Sequence, residues 1–228
     1  MNSKVPSRWQ LNSEVKHFSC PIFNIYERKY KHPIDHRCGN FYILKTVDWV
    51  QVIALTLSGK LIMVEQFRFG TEMLSLETPG GLMEKGENAV VAGIRELKEE
   101  TGYAGREGRC IGVMYPNPAL QNNRLHIIMV EGCEKIEEQD LDENEEIRCL
   151  ELNFEECLEK IKKGEIMHGL AIAALFSYQL IRAPRPYDPR QEHCFLDLET
   201  ALDHVQCTCF QGKHNSWLQI ISSQNNIL

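Results

Sequence analysis

The order of the periodic segments in this sequence predicts a mixed α/β sandwich. Two strand-like segments, 50–57 and 61–69, are rich in apolar and aromatic residues and flank a turn signal. A helical spacing of apolar and charged residues follows at 88–101, and two further helical segments occupy 154–163 and 168–182. With more strands predicted between the first helix and the last two, this order suits a sheet covered by helices.

The individual elements follow from local signals. Short apolar patches between residues 18 and 26 predict one or two N-terminal strands, and the run 38–40 is predicted as a turn. The run 58–60 joins the two strands named above into an antiparallel hairpin, and Gly102 is a stop signal for the helix before it. The other predicted elements are strands at 40–46, 110–114, 125–130 and 147–152, a charged loop at 134–146, and helices that end before Gly164 and before Pro184.

Composition bounds the class of protein. The chain has 228 residues and a formal net charge of −7, which argues against a general nucleic-acid surface but allows a small anionic substrate beside a metal ion. No apolar run approaches the roughly 20 residues of a membrane span, and the first residues lack the apolar core of a signal peptide. We therefore expect a cytoplasmic protein with no nucleic-acid or membrane partner, whose 9 cysteines are reduced thiols.

Three glutamates in the predicted helix at 88–101 indicate a divalent metal site. Glu96, Glu99 and Glu100 share one helix face, where their charges repel one another. Mg²⁺ prefers oxygen ligands and binds one or two carboxylates together with phosphate oxygens and water. Arg95 can orient carboxylates through its fork of donors, and the glycines of 80–86 permit a tight loop beside the helix. A solvated charged helix face is the alternative explanation of such a run.

The wider segment 81–103 resembles the Nudix box. It matches the pattern Gly-x5-Glu-x7-Arg-Glu-aliphatic-x-Glu-Glu-x-Gly-apolar at every fixed position. The resemblance extends over about residues 5–182 and implies an α/β/α sandwich with a mixed sheet, preceded by N-terminal antiparallel strands. It also implies metal-dependent substitution at a phosphorus of a nucleoside diphosphate derivative.

The resemblance assigns roles by position. The metal ligands that it implies are Glu96, Glu99, Glu100 and the carbonyl of Gly80. Glu99 is expected to bind the metal directly or through water, and it is also a candidate catalytic residue. Mg²⁺ is the expected ion, with Mn²⁺ as the alternative. The residues expected to hold the loop and the helix together are Gly81, Glu87, Arg95 and Gly102.

The sequences flanking the box resemble those of ADP-ribose and nucleoside-diphosphate-sugar pyrophosphatases, in particular at 64–70 and 77–81. Arg68 matches a residue that reaches substrate phosphate in those enzymes, a task suited to an always-charged, bidentate guanidinium. Glu77 is expected to contact the substrate or to support a group that does. A surface arginine at a strand end is the alternative for Arg68.

The acidic loop 142–148 resembles the loop that supplies a late catalytic glutamate in ADP-ribose pyrophosphatases. By position the candidate is Glu143, which is expected to take a proton from the attacking water or to orient that water. Glu145 is the neighbour with which Glu143 is most easily confused. An unstructured acidic loop is the alternative for both residues.

A stretch rich in proline and side-chain amides, 115–124, resembles the Asn-Pro-Ala-x-Gln-Asn-Asn stretch of some bacterial Nudix enzymes that act on nucleoside diphosphate sugars. Amide side chains offer donors and an acceptor to sugar hydroxyls. We therefore predict that Asn117, Gln121 and Asn122 bind substrate. An ordinary turn cluster is the alternative.

Together, these resemblances predict metal-dependent hydrolysis of the diphosphate bond of ADP-ribose or of a nucleoside diphosphate hexose. Water would attack one phosphorus in line, and a nucleoside monophosphate and a sugar phosphate would be released. Two alternatives stay open: an enzyme specific for ADP-ribose or for a dinucleotide such as NADH, and a domain that senses a ligand without cleaving it. The acidic charge disfavours a role in RNA processing.

Three regions are predicted along the chain. Residues 1–48 form an N-terminal strand region which, by the resemblance, contributes to a homodimer and to binding of the base; residues 49–183 form the hydrolase domain; and residues 184–228 form an extension of unknown role. Four aromatic residues are candidates for stacking on the base, although core packing is the commoner role of such residues. They are Trp9, Phe23, Tyr26 and Phe41.

The extension 184–228 has no counterpart in the resemblance. It contains residue types that bind zinc, but the single residue between Cys207 and Cys209 departs from the usual spacing of a zinc knuckle. The residues of this hypothetical zinc site are His193, Cys194, His204, Cys207, Cys209 and His214. A short helix is expected at 197–205.

Overall fold

The computed structural model of this protein describes residues 5–182. The strands are β1 (Gln10–Ser19), β2 (Asn24–Lys31), β3 (Cys38–Lys45), β4 (Trp49–Thr56), β5 (Leu61–Arg68), β6 (Met73–Glu77), β7 (Tyr103–Ala104), β8 (Gly108–Met114), β9 (Leu125–Lys135) and β10 (Ile147–Leu152). The helices are α1 (Ala89–Thr101), α2 (Phe154–Lys162) and α3 (Gly169–Arg182). The extension predicted at 184–228, with its zinc hypothesis and its short helix, lies outside the described residues.

The central sheet is mixed. Its strand order is β10-β5-β4-β9-β7, with β6 added beside β5 and β8 beside β9. β4 and β9 run parallel to each other, whereas the other pairings are antiparallel. Because β4 and β9 are parallel, the loops that precede them lie at the same end of the sheet.

Helices cover both faces of this sheet. Val52 of β4 belongs to the apolar cluster that includes Ala92 of α1, and the next residue, Ile53, belongs to the cluster that includes Leu175 of α3. Successive side chains of a strand point to opposite faces, so α1 lies on one face and α3 on the other. The predicted α/β/α sandwich is therefore confirmed, and burying a side chain such as Ile53 contributes about 2 kcal/mol relative to leaving it exposed.

The N-terminal strands form a separate antiparallel sheet in the order β1-β2-β3. β2 and β3 pair along their whole lengths, from Asn24 opposite Lys45 to Lys31 opposite Cys38. The backbone N–H of Leu44 donates to the carbonyl of Leu120 at 2.9 Å, which links this sheet to the loop before β9. The predicted N-terminal antiparallel strands are thus present.

Two local predictions from the sequence were wrong. The run 38–40, predicted as a turn, begins β3, and the turn lies earlier, where the N–H of His32 donates to the carbonyl of Arg37 at 2.8 Å. Pairing with β2 outweighs the turn preference of Gly39, which lies beneath the ring of Phe41. In addition, the first two residues of the predicted charged loop extend β9, because they pair with Tyr103 and Ala104 of β7.

Among residues 5–182, no helix is both long enough and apolar enough to cross a membrane.

Candidate active site

Helix α1 is bounded by signals that act locally. Asn88 precedes it in an extended conformation, and its side-chain oxygen accepts a hydrogen bond from the N–H of Val90 at 2.8 Å. Gly102 ends the helix in the left-handed region, with φ of 73°, and its N–H donates to the carbonyl of Lys98. The cap and the stop place the three predicted metal-binding glutamates in the second half of the helix.

The loop before α1 passes so close to β4 and to the helix that two of its positions require glycine. A Cβ atom on Gly80 would lie 2.2 Å from the carbonyl oxygen of Val50. A Cβ atom on Gly81 would lie 2.5 Å from Cδ of Glu96. The carbonyl of Gly81 also accepts a hydrogen bond from the N–H of Val50 at 3.0 Å, which fixes the loop on the strand. The absence of a side chain at Gly80 lets the loop lie against β4, and its absence at Gly81 makes room for Glu96.

Glu100 is the most enclosed of the three glutamates. It is buried, and one of its carboxylate oxygens accepts a hydrogen bond from the N–H of Gly80 at 3.0 Å. Burial raises the pKa of Glu100 to about 8; the bond from Gly80 opposes this rise, and the charges of Glu96 and Glu145 add to it. Burial is also the main cause of the raised pKa of Glu96. Both carboxylates therefore lie where a nearby positive charge would be stabilising.

Arg95 makes hydrogen bonds with both the loop and helix α1. Its Nε and Nη2 donate to the two oxygens of Glu87 at 3.0 and 3.1 Å, and Nη2 also donates to the carbonyl of Leu82 at 3.0 Å. Its Nη1 donates to both Glu96 and Glu99 at 2.9 Å. The hydrogen bond with Glu87 is the largest cause that raises the pKa of Arg95, so this guanidinium is a permanent cation between the loop and the carboxylates.

The oxygens of Glu96, Glu99 and Glu100 are the ligand type that Mg²⁺ and Mn²⁺ prefer, so the donor set fits a hard divalent ion. Glu99 is the most accessible of them, with 40% of its side chain exposed. Within residues 5–182, however, no three acidic, histidine or cysteine side chains converge tightly enough to enclose an ion by themselves. Nη1 of Arg95 lies between two of these carboxylates, because it donates to both Glu96 and Glu99.

Arg68 and Glu77 form a bidentate ion pair beside the glutamates of α1. Nε and Nη2 of Arg68 donate to the two oxygens of Glu77 at 2.8 and 2.6 Å, and the charge of Glu100 also contributes to the raised pKa of Arg68. Glu77 is completely buried, whereas 38% of the Arg68 side chain is exposed. The structure thus places Glu77 behind Arg68, and only the guanidinium reaches the surface.

His168, which the sequence reasoning missed, adjoins this pair. Its Nδ1 is buried and lies 3.4 Å from an oxygen of Glu77 without the alignment of a hydrogen bond. Burial is the largest cause that lowers the pKa of His168; the charge of Arg68 adds to this, and the charge of Glu77 opposes it. The imidazole is therefore neutral at pH 7, at the start of α3. A histidine at the start of the predicted helix 168–182 was the available sequence signal.

Both candidate glutamates of the acidic loop, Glu143 and Glu145, are exposed. The negative charge of Glu145 adds to burial in raising the pKa of Glu96 and Glu100, and it also contributes to the raised pKa of Arg68. The charge of Glu145 therefore acts on the glutamates of α1.

The loop 115–124 lies at the end of the sheet where β4 and β9 begin. The side-chain oxygen of Asn122 accepts a hydrogen bond from the N–H of Thr46 at 3.2 Å, so part of this amide is used to join the loop to the chain before β4. Asn117 is exposed and Gln121 is half-buried. Asn123, which sequence reasoning did not select, is buried, and its side-chain nitrogen and oxygen have no hydrogen-bond partner among the described residues.

Asp48 is a second residue that sequence reasoning missed. It accepts hydrogen bonds from the backbone N–H and from Nε of Arg124 at 2.8 and 3.0 Å, and it lies 3.1 Å from Nε2 of His126. Desolvation opposes ionisation of Asp48, but these bonds outweigh it and lower its pKa. Its role is to fasten the end of the loop 115–124 to β4 and β9.

The four candidate stacking residues divide among different clusters. Trp9 packs edge-on against Phe41, with ring centroids 5.8 Å apart. Phe23 packs against Phe18, and Tyr26 lies beneath the ammonium group of Lys45. The described residues thus show one pair, rather than a single face built from all four.

Comparisons with known proteins agree with this geometry. Residues 48–170 match the family model of the NUDIX domain. The chain is 32% identical to an ADP-ribose pyrophosphatase of Bacillus subtilis (strain 168) over 167 residues, which are 73% of this chain and 90% of that protein. It is 36% identical over 135 residues to a methanol dehydrogenase activator of Bacillus methanolicus, covering 59% of this chain and 73% of that protein. A crystal structure of an ADP compounds hydrolase superposes with a TM-score of 0.70 at 17% identity, covering 78% of this chain and 96% of that one, and this likeness concerns the fold alone.

Proposed function

This chain belongs to the Nudix family, and from that premise we propose that it hydrolyses the diphosphate bond of a nucleoside diphosphate sugar. As a Nudix hydrolase it acts on phosphorus anhydrides. The substrate would be ADP-ribose or a nucleoside diphosphate hexose, and the products a nucleoside monophosphate and a sugar phosphate. The observation that carries this proposal is the side-chain-free loop at Gly80 and Gly81, against which Glu96 and Glu100 lie.

These glutamates would hold the metal ion. Glu96, Glu99 and Glu100, with the carbonyl of Gly80, supply hard oxygen ligands of the kind that Mg²⁺ or Mn²⁺ takes, and the bound ion would neutralise charge on the diphosphate. The enclosure of Glu100 supports this assignment, because a buried carboxylate is stabilised by an adjacent cation. Arg95 and Glu87 keep the loop and helix in register, and do not themselves contact substrate.

Arg68 would bind a phosphate of the substrate. Glu77 uses Nε and Nη2 of the guanidinium, which leaves the two hydrogens of Nη1 for oxygens of the diphosphate. Because Glu77 is fully buried, its part would be to aim Arg68, and it would act on the substrate only through that residue. The positive charge at Arg68 beside the carboxylates of α1 is what an anionic substrate requires in an acidic protein.

Glu145 would take the proton of the attacking water. Its negative charge acts on Glu96, Glu100 and Arg68, which supports this role. Glu143, the first candidate by position, is the alternative.

The remaining parts of the proposal concern recognition and assembly. Asn117, Gln121 and Asn122 would contact sugar hydroxyls from a loop whose C-terminal end is fixed by the bonds of Asn122 with Thr46 and of Arg124 with Asp48. The β1-β2-β3 sheet, within the region 1–48, would contribute to a homodimer and to base binding. Residues 49–183 would form the hydrolase domain, and residues 184–228 an extension of unknown role. We further propose that the protein is cytoplasmic and has no nucleic-acid or membrane partner.

A substrate panel tests this function. ADP-ribose, ADP-glucose, GDP-mannose, UDP-glucose and NADH would each be incubated with the protein, with Mg²⁺ or with a chelator in excess, and the phosphate-containing products identified. Chelator-sensitive release of monophosphates from several sugars would support the proposal. Cleavage of ADP-ribose or NADH alone would narrow the substrate, whereas tight binding of these compounds without any cleavage would contradict hydrolysis.

A further inference from the structure

The segment 136–140 caps the C-terminal end of α1. The last carbonyls of a helix have no donor within the helix and need one from elsewhere. Here the N–H of Asp140 donates to the carbonyl of Glu99 at 2.9 Å, and the N–H of Ile136 donates to the carbonyl of Gly102 at 2.9 Å. The carbonyl of Glu100 receives its donor from a side chain, Nε2 of Gln139. The caps of the carboxylate-bearing helix therefore come from the segment directly before the acidic loop.

The close approach of this segment depends on Gly102. A Cβ atom there would lie 2.1 Å from the carbonyl oxygen of Glu137, and the positive φ of Gly102 also disfavours any other residue. The box glycine thus serves two purposes, since it ends the helix and admits the capping segment.

Gln139 makes a second contact that gives it a particular place in the fold. The same Nε2 donates to the carbonyl of Ile147 at 3.1 Å, the first residue of β10. An amide nitrogen has two hydrogens, so one side chain can serve both carbonyls, and two carbonyl partners leave no ambiguity about which end of the amide faces them. Gln139 therefore fastens the two ends of the loop 140–146 to each other and to α1.

Within this closed loop, Glu145 is held by two hydrogen bonds with the backbone of Asp142. Its N–H donates to the carbonyl of Asp142 at 2.9 Å, and its carboxylate accepts from the N–H of Asp142 at 3.2 Å. A short loop with an internal turn has few conformations left once its ends are fixed. The position of Glu145 relative to Glu96 and Glu100 thus follows from the anchor at Gln139.

We propose that Gln139 is a positioning residue, which sets the position of Glu145 relative to α1 by fastening both ends of the loop 140–146 to that helix. This inference rests on the proposed function, in which Glu145 accepts a proton from water. It assigns to Gln139 no contact with the substrate.

The test begins with Gln139→Met, which keeps the length of the side chain and removes its donors, and with Glu138→Met as the matched control. The Glu138 side chain is 92% exposed and contacts only the surface residue Lys135 in the described part of the chain. We expect Gln139→Met to lower kcat by about 10- to 100-fold with KM changed less than about twofold, because misplacing a reacting group by about 1 Å has effects of this size. The control should match the wild type.

A double-mutant cycle separates positioning from general stability. In a Glu145→Gln background, where the positioned carboxylate is absent, Gln139→Met should lower kcat by less than about twofold. Equal losses in both backgrounds would overturn the inference, because they would mean that Gln139 acts independently of Glu145. Full activity of Glu145→Gln alone would overturn it too.

If the wild type turned over none of the diphosphates, the proposed function would be contradicted. Hydrogen exchange would still test the anchoring role of Gln139. Amides of 140–146 should exchange at least about 10-fold faster in Gln139→Met than in Glu138→Met, while those of 89–97 stay unchanged. Unchanged exchange in the loop would overturn the anchoring role of Gln139.

Discussion

Glu77 and Arg68 form a two-point ion pair in which the carboxylate is completely buried and the guanidinium reaches the surface. Both oxygens of Glu77 are used, so the plane of the guanidinium is fixed by two parallel hydrogen bonds. A buried carboxylate that lost this partner would be left without a compensating charge. The pair therefore fixes the direction in which Arg68 faces.

Replacing Arg68 by lysine is expected to weaken substrate binding. Lysine keeps the charge, but the tetrahedral donors of its ammonium group cannot reproduce the planar fork that bonds both oxygens of Glu77 while another nitrogen faces a phosphate. We expect KM for the best diphosphate substrate to rise about 10-fold, a loss of one phosphate contact. Steady-state kinetics would measure this change against Arg106→Lys, an exposed arginine. An unchanged KM would remove Arg68 from the binding site.

Replacing Glu96 by glutamine is expected to abolish most turnover while the fold is retained. The substitution removes a charged metal ligand, for which a loss of at least about 100-fold in kcat is expected. Burial raises the pKa of Glu96, which means that its charge is costly in the folded protein. Removing that charge should therefore change the free energy of unfolding by no more than about 1 kcal/mol. Kinetics and urea unfolding would be compared with Glu107→Gln, an exposed glutamate. Undiminished turnover would disprove the metal assignment.

Alanine at the two loop glycines is expected to have different effects. A Cβ on Gly81 would meet the flexible end of the Glu96 side chain, which can move away, so Gly81→Ala should lose activity and keep most of its stability. A Cβ on Gly80 would meet backbone, so Gly80→Ala should lose about 2 kcal/mol of stability. Gly169→Ala, with no atom within 4 Å of the added carbon, is the control. The reverse ranking of stabilities would contradict the close approach at Gly80.

His168 is expected to make the protein less stable in mild acid. Its pKa in the folded protein is lowered from 6.5, so the unfolded chain binds this proton first as the pH falls. Its contribution is therefore fully present above pH 6.5 and is lost below it. His168→Gln should show a smaller decrease in unfolding free energy between pH 7 and pH 5 than the wild type, by up to about 1 kcal/mol. Parallel pH profiles of the two proteins would show that His168 is not the titrating group.

The sequence by itself determined the carboxylate helix. Glu96, Glu99 and Glu100 had to share one face once α1 formed, because helical periodicity is local, and Gly102 marked the end of that helix. The strands with alternating or continuous apolar residues were also readable, and so was the α/β/α order. The turn predicted from residues 38–40 was wrong, because this run pairs with β2. Such pairing depends on a neighbouring strand, and here it outweighs the local preference for a turn.

Only the tertiary structure decided how these residues meet. It buries Glu100 behind Gly80 while Glu99 stays partly exposed, and it places Glu77 behind Arg68. The charge of Glu145, which lies in a distant loop, also acts on the glutamates of α1. These relationships join segments that are far apart in the chain, and burial and hydrogen bonding across such distances depend on packing, which no local sequence pattern encodes.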